Sequence, residues 1–294
     1  MEKSKVYFTK EITPSAVLKL YEALGIKLSG KVGAKVHSGE PGNQNFIRPD
    51  FWQPIMEMLD AKVVECNTAY PGRRNTTLEH LSVFKEHGWS LYYDVDLADI
   101  EDDDLVLDIP NGNQIKKDYI GSHFKNYDSI IVLSHFKGHP MGGFGGALKQ
   151  LSIGFASSRG KAYIHSAGRT LDQYDVWDKL PPQNDFLESM ADAAWAVNNY
   201  FKGRIVYINV LKNMSVDCDC CSVAEDPCIP DMGMMISTDP VAIDQACIDM
   251  VFNSNAERKE HFIKRVTSRN GIHTIEAASS LGAGNREYEL ISID

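Results

Sequence analysis

The apolar run Ser129-Ile130-Ile131-Val132-Leu133 passes directly into a glycine-rich segment, residues 134–149, that carries His135, Lys137, His139 and Lys149. A strand-like run that feeds a glycine loop and then a helix-like stretch is how α/β proteins build a ligand-binding edge. Gly142, Gly143, Gly145 and Gly146 leave backbone N–H groups open to an anion, and a following helix start favours negative charge there. The imidazoles and amines add charge, proton-transfer groups or metal ligands. His135, His139 and Lys149 are therefore candidate catalytic groups, and Lys137 joins the glycines as a candidate ligand-binding residue.

The rest of the chain alternates strand and helix patterns. Strands are expected at residues 5–9, 32–36, 62–66, 105–109, 114–118, 129–133, 204–211, 232–236 and 288–293. Helices are expected at residues 13–24, 49–59, 77–87, 147–155, 185–200, 240–251, 256–267 and 274–281. The 185–200 helix is the clearest, with Phe186, Met190, Ala193, Ala194, Val197 and Phe201 at helical spacing. Such alternation gives an α/β fold with a mostly parallel or mixed sheet flanked by helices. The chain reads as a single α/β domain over residues 1–294, or as two α/β lobes with a cleft and a boundary near residue 128. Ligands in these sheets sit beyond the carboxyl ends of strands, and four motif loops follow expected strands.

The first of those loops is His37-Ser38-Gly39-Glu40-Pro41-Gly42-Asn43, where His37 and Glu40 are an acid–base pair, metal ligands, or parts of a solvated turn. The second runs from Cys66 through Asn67, Thr68, Arg73 and Arg74, and its guanidinium forks suit phosphate or carboxylate. The third is the glycine segment. The fourth is Asp217-Cys218-Asp219-Cys220-Cys221, with Cys228 and Asp231 beyond it. Four thiols so close together point to zinc, iron–sulfur or copper(I), although Cys-x-Cys-Cys is not the usual Cys-x-x-Cys spacing. The acidic neighbours Asp217 and Asp219 are expected to raise the thiol pKa in the absence of a metal. Asp239 is explained as the cap of the helix that Pro240 opens, whereas Asp244 has no cap to explain it and is a candidate for the site.

Composition narrows the function classes. A formal net charge of −10 argues against non-specific nucleic-acid binding. No apolar run reaches membrane-spanning length, and the stretch from Met1 to Phe8 lacks a signal-peptide core, so a cytoplasmic protein with no membrane partner is expected. Six cysteines in that setting are reduced thiols, metal ligands or catalytic groups, and not a disulfide framework. A locally basic loop in an acidic chain points to a small anionic ligand or cofactor.

Together the stretch from Lys35 to Asn43, the Asn67-Thr68-Ala69-Tyr70 and Arg73-Arg74-Asn75 loop with His80, residues 134–149, Asp217-Cys218-Asp219-Cys220 with Pro230-Asp231, and Asp239-Pro240-Val241-Ala242-Ile243-Asp244 resemble one prokaryotic family, domain of unknown function 362. Its members are described as Fe–S centre proteins, and many carry a ferredoxin-like insert that residues 167–183 lack. The resemblance implies iron–sulfur chemistry, lost here or supplied by a separate ferredoxin. Over a dozen residues, His139 to Lys149 also resembles the pattern of nickel-pincer lactate racemases, which implies Lys149 as a cofactor anchor.

The combined expectation is a metal- or cofactor-dependent oxidoreductase acting on a small anionic ligand. Its cofactor would be a metal ion, an iron–sulfur cluster, or a flavin or other phosphate-bearing group. Cys218, Cys220, Cys221, Cys228 and Asp231 are the candidate metal ligands. The alternatives are an isomerase or racemase with a Lys-anchored cofactor, and a non-catalytic metal-binding or carrier protein.

Overall fold

The computed structural model describes residues 3–100 and 103–294, so Met1 and Glu2 of the N-terminal stretch lie outside it. Among the described residues the strands are β1 (Ser4–Thr9), β2 (Val32–Lys35), β3 (Lys62–Glu65), β4 (Val95–Leu97), β5 (Asp104–Asp108), β6 (Lys117–Gly121), β7 (Ser129–His135), β8 (Lys137–His139), β9 (Gly143–Gly145), β10 (Ile205–Leu211), β11 (Gly233–Ser237) and β12 (Tyr288–Ser292). The helices are α1 (Pro14–Leu24), α2 (Gln53–Leu59), α3 (Thr77–Glu86), α4 (Trp89–Tyr92), α5 (Ala147–Lys149), α6 (Ser158–His165), α7 (Gln183–Tyr200), α8 (Pro240–Asn253), α9 (Lys259–Ser268) and α10 (Ile272–Ser280).

Eight strands form one mixed sheet in the order β12-β1-β11-β10-β7-β2-β3-β4. The run β10-β7-β2-β3-β4 is parallel throughout, and β11 is antiparallel to both of its neighbours. Strands from both sides of residue 128 share this sheet, since β7 pairs with β2. The α/β fold class expected from the alternation is the one observed.

Period-two alternation explains how the sheet is covered. In β7, Ile131 and Leu133 pack with α1, α2 and α3, whereas Ile130 and Val132 pack with α7, α8 and α10. Burial on both faces is the signature of a sheet sandwiched between helix layers. α1 follows the usual rules for helix ends: the Thr13 hydroxyl accepts from the Ala16 amide, Pro14 opens the helix, and Gly25 ends it at φ 70°. Asp239 caps α8 as expected, accepting from the Val241 and Ala242 amides.

The sequence reading has no element where β4, α4 and α6 form, and three of its expectations are altered. The strand expected at 114–118 begins at Lys117, because the Asp192 carboxylate takes the amides of Asn113, Gln114 and Ile115 and withholds them from a ladder. The glycine segment is not a loop throughout: β8 and β9 pair as an antiparallel hairpin. The helix expected at 147–155 is one α turn, α5, followed by a π turn over Gln150–Gly154. No helix among the described residues is long and apolar enough to cross a membrane.

Candidate functional site

β10, β7, β2 and β3 are adjacent and parallel, so their carboxyl ends lie side by side. The loops that follow them are the four motif loops. They enclose a cavity of about 130 Å³ whose wall includes His37 after β2, Tyr70 and Arg74 after β3, Lys137, His139 and Lys149 after β7, and Cys220 after β10.

At the sulfur end Cys220 lies on the cavity wall, with the fully buried Cys218 behind it. Lys149 Nζ lies 3.6 Å from Cys218 Sγ, and ligand atoms of His139, Cys218 and Cys220 all lie within 4.8 Å of one another. Burial opposes a thiolate at Cys218, but a hydrogen bond from Cys220, the Lys149 and Lys137 ammonium groups and a hydrogen bond from His139 outweigh it and hold its pKa well below that of a free thiol. Cys220 moves the other way, because donating to Cys218 keeps it a thiol and burial adds to this. Lys149 is correspondingly raised: burial works against its charge, and Cys218 and Cys220 outweigh it.

This reverses the expectation that Asp217 and Asp219 would raise the Cys218 pKa. Their carboxylates face elsewhere. Asp217 pairs with Arg265 at 3.3 Å. Asp219 accepts from His135 Nδ1 at 2.8 Å and pairs with Lys137 at 2.9 Å. Burial opposes ionisation of Asp219, yet His135 and Lys137 hold its carboxyl well below the usual range.

The two histidines of the glycine segment have different surroundings. His135 donates to Asp219 and, from Nε2, to the Lys212 carbonyl at 2.6 Å, so both ring nitrogens are in use. His139 Nδ1 accepts from the Met141 and Gly142 amides at 3.2 and 2.8 Å. Burial, reinforced by Lys149, pushes its pKa down to about 4, so the ring is neutral near pH 7. A neutral ring that accepts at Nδ1 carries its proton on Nε2, the nitrogen 3.9 Å from Cys220 Sγ.

Gly145 and Gly146 lie on the cavity wall, and the close contacts of the segment account for the other two glycines. Gly142 donates to His139, and Gly143 sits in β9 at φ 82°, against Gly271. A Cβ on Gly146 would lie 2.3 Å from Asp244 Oδ1. The reason is that Asp244 reaches across from α8 and accepts from the Ala147 and Leu148 amides at 2.8 and 2.9 Å. Its carboxylate fills the anion position at the start of α5 and fixes the turn that carries Lys149. Burial pushes its pKa up to about 6, against the hydrogen bonds from Leu148, Asn209 and Ala147.

In the second loop Arg74 is buried and fully engaged. It donates to Glu40 at 2.9 Å and to the Tyr70 hydroxyl at 2.6 Å, and Nη1 lies 3.4 Å from Glu65. The Tyr70 hydroxyl donates to Glu40 in turn at 2.8 Å. His37 borders the same cavity, with its pKa lowered by burial and by Arg74. Arg73 is exposed, clamps Glu86 and lies outside the cavity wall. Asn67 supports α3 through Thr77 and His80. His80 is spent on Glu65 at 2.9 Å.

Of the five candidate metal ligands, Cys218 and Cys220 converge with His139. Cys228 donates to the Met214 carbonyl, Asp231 accepts from the Asn213 amide near the surface, and Cys221 stands outside the group.

Several wall residues were not singled out from the sequence. Lys35 ends β2 and donates to the Val36 carbonyl at 2.6 Å and to Gln150 Oε1 at 3.3 Å. Lys161 and His165 sit one turn apart on α6. His165 Nδ1 donates to the Lys161 carbonyl at 2.7 Å, its ring stacks on Phe186, and burial pushes its pKa down to about 4. The neutral ring then carries its lone pair on Nε2, and the residue lies on the cavity wall. The detectable signal was the Lys161/His165 spacing of four residues.

Among curated proteins, no match is found. Among solved structures, the chain is similar to the lactate racemase apoprotein from Thermoanaerobacterium thermosaccharolyticum, at 16% identity and TM-score 0.42, over 70% of this chain and 50% of that one. It is also similar to a Thermotoga maritima protein solved by a structural genomics consortium, at 12% identity and TM-score 0.46, over 92% of this chain and 59% of that one. The chain thus spans half the length of the first and 59% of the second. The family described as domain of unknown function (DUF362) matches residues 32–249, which run from β2 into α8 and include all four site loops, and the chain belongs to that family.

Proposed function

We propose that the chain is a thiol-dependent enzyme, an oxidoreductase in type, that takes a small anionic ligand into the cavity and acts on it through the Cys218 thiolate. The observation that carries this reading is the Lys149 ammonium 3.6 Å from Cys218 Sγ, with the Cys220 thiol beside it. A thiolate is the nucleophilic form of cysteine, and a thiolate next to a thiol is the reduced half of a dithiol couple. Lys35, Lys137, Lys149 and Lys161 give the wall a cationic character that suits an anion.

Cavity size limits the ligand. About 130 Å³ is well below the ~300–1,000 Å³ of pockets for drug-sized ligands, so a flavin or nucleotide does not fit the cavity as it stands. An iron–sulfur cluster does not fit either. It takes about four thiolate or imidazole ligands, and the described residues bring together two thiols and one imidazole. A Lys-anchored cofactor would react with Lys149 as a free amine, and the neighbouring Cys218 and Cys220 favour its ammonium form.

One observation favours a second reading. His139, Cys218 and Cys220 are close enough to bind a single soft metal ion with an open fourth position. Against it stands the His139 proton: ligating histidines present a bare nitrogen to the metal and donate from the other, whereas this ring accepts at Nδ1.

Alkylation by iodoacetamide, read by peptide mass mapping between pH 6 and 9, separates the readings. Cys218 should react first and already below pH 7, and Lys149→Met should slow it at least tenfold at pH 7. Cys218 and Cys66 are equally buried, at 0% and 2% exposure, so a Cys218 that reacts no faster than Cys66 sinks the thiolate reading. Stoichiometric zinc or iron in the purified protein, released with the appearance of two reactive thiols, favours the metal.

A further inference from the structure

We infer that the ligand is a small dianion, and that its second carboxylate or phosphate is bound by Lys35, Lys161, Gln150 and Trp177, away from the sulfur end of the cavity. The inference deepens the anionic-ligand part of the reading above and rests on it.

Two buried donors in the cavity wall have no hydrogen-bond partner among the described residues: Gln150 Nε2 and Trp177 Nε1. Gln150 is only 7% exposed, and its orientation is fixed because its Oε1 accepts from Lys35. Gly154 makes that meeting possible, since a Cβ there would lie 2.5 Å from Gln150 Oε1 and 3.1 Å from Lys35 Cε. A buried donor left unpaired costs about 1–3 kcal/mol, so two in one cavity mark a place where a ligand supplies acceptors.

The same wall carries charge without a counter-charge. Lys35 and Lys161 are both buried, their amines bond backbone carbonyls and the Gln150 amide oxygen, and neither forms an ion pair among the described residues. The nearest carboxylate in the wall, Glu65, is already shared by Arg74 and His80. These two lysines are distinct from the sulfur pair. Lys35 has Glu65, Lys161 and Arg74 as its charged neighbours, whereas Lys137 and Lys149 face Cys218. Four donors, two of them cationic and paired only with neutral acceptors, the other two without a partner among the described residues, describe the socket of one carboxylate or phosphate. The cavity volume then restricts the whole ligand to an acid of a few carbons.

Isothermal titration with malate, lactate and 2-phosphoglycolate tests this, because malate differs from lactate by one added carboxylate. Wild-type protein should bind malate or 2-phosphoglycolate at least tenfold more tightly than lactate, and the tighter of the two tells carboxylate from phosphate. Lys161→Met should remove that advantage. Trp177→Phe keeps the ring and removes only the N–H, and should weaken the dianion at least threefold while leaving lactate unchanged. Equal binding of malate and lactate, no dianion binding at millimolar concentration, or a folded Trp177→Phe protein that binds all three ligands as wild type overturns the proposal. Rapid alkylation of Cys218 would survive any of these results, so the two readings fail separately.

Discussion

Arg73 and Arg74 read alike in the sequence, as two guanidinium forks in one loop. Their surroundings differ completely. Arg74 is 2% exposed and is tied to Glu40, Glu65 and Tyr70, whereas Arg73 is paired with Glu86 at the surface. Removing one partner of a buried ion pair leaves an uncompensated charge and costs about 3–5 kcal/mol, while an exposed pair contributes about 0–1 kcal/mol. Arg74→Met should therefore destabilise the protein by about 3 kcal/mol or more in denaturant unfolding, and Arg73→Met by less than about 1 kcal/mol. Similar losses from the two variants would refute this assignment. At this scale the sequence revealed Cys218, Cys220, His139 and Lys149 because thiols, imidazoles and amines were dense around glycines. It hid Lys35, Gln150, Lys161 and His165 because none lies in a cluster of reactive side chains, the Lys161/His165 pair having only its spacing of four to mark it, and only the fold brings them to one wall.

The element that positions Lys149 is held from outside. α5 is a single turn continued by a π turn, and its first amides are satisfied by Asp244 on α8. π turns are rare and concentrate at functional sites. Asp244 needs Gly146, since any Cβ at that position meets its carboxylate at 2.3 Å. Gly146→Ala should cost about 1–3 kcal/mol, as an overpacked core position does, and should slow Cys218 alkylation toward the Lys149→Met rate. Unchanged stability and unchanged alkylation would show that α5 tolerates the displacement. The strands and long helices were legible because their periodicity is local. The β8–β9 hairpin, the π turn and the late start of β6 were not, because a remote side chain or a paired strand imposes each of them. Asp192, for example, lies on α7 and decides where β6 begins.

On the scale of the whole molecule, enclosing the cavity leaves histidines buried and neutral, which makes stability depend on pH. His139 and His165 are both pushed down to about 4 by burial, against about 6.5 for an unfolded chain. Between those values the unfolded state binds more protons than the native one, so stability falls as pH falls. Each ring should cost about 2–3 kcal/mol between pH 7 and pH 4.5. Asp244 runs the opposite way. Its pKa is pushed up to about 6, so the native state takes a proton first and regains about 2 kcal/mol over the same range. His37 and His80, also lowered, add to the loss. Asp104, Asp118 and Asp192, likewise raised by burial, act with Asp244 against that loss, so the histidine share is read from the difference in urea midpoint between wild type and variant. His165→Gln removes one titrating ring and should flatten the curve by about 2 kcal/mol over that range. A His139→Gln variant whose urea midpoint keeps the wild-type pH dependence would mean that this ring is protonated in the native protein. The neutral His139 that directs its Nε2 proton toward the sulfurs would then have to be abandoned.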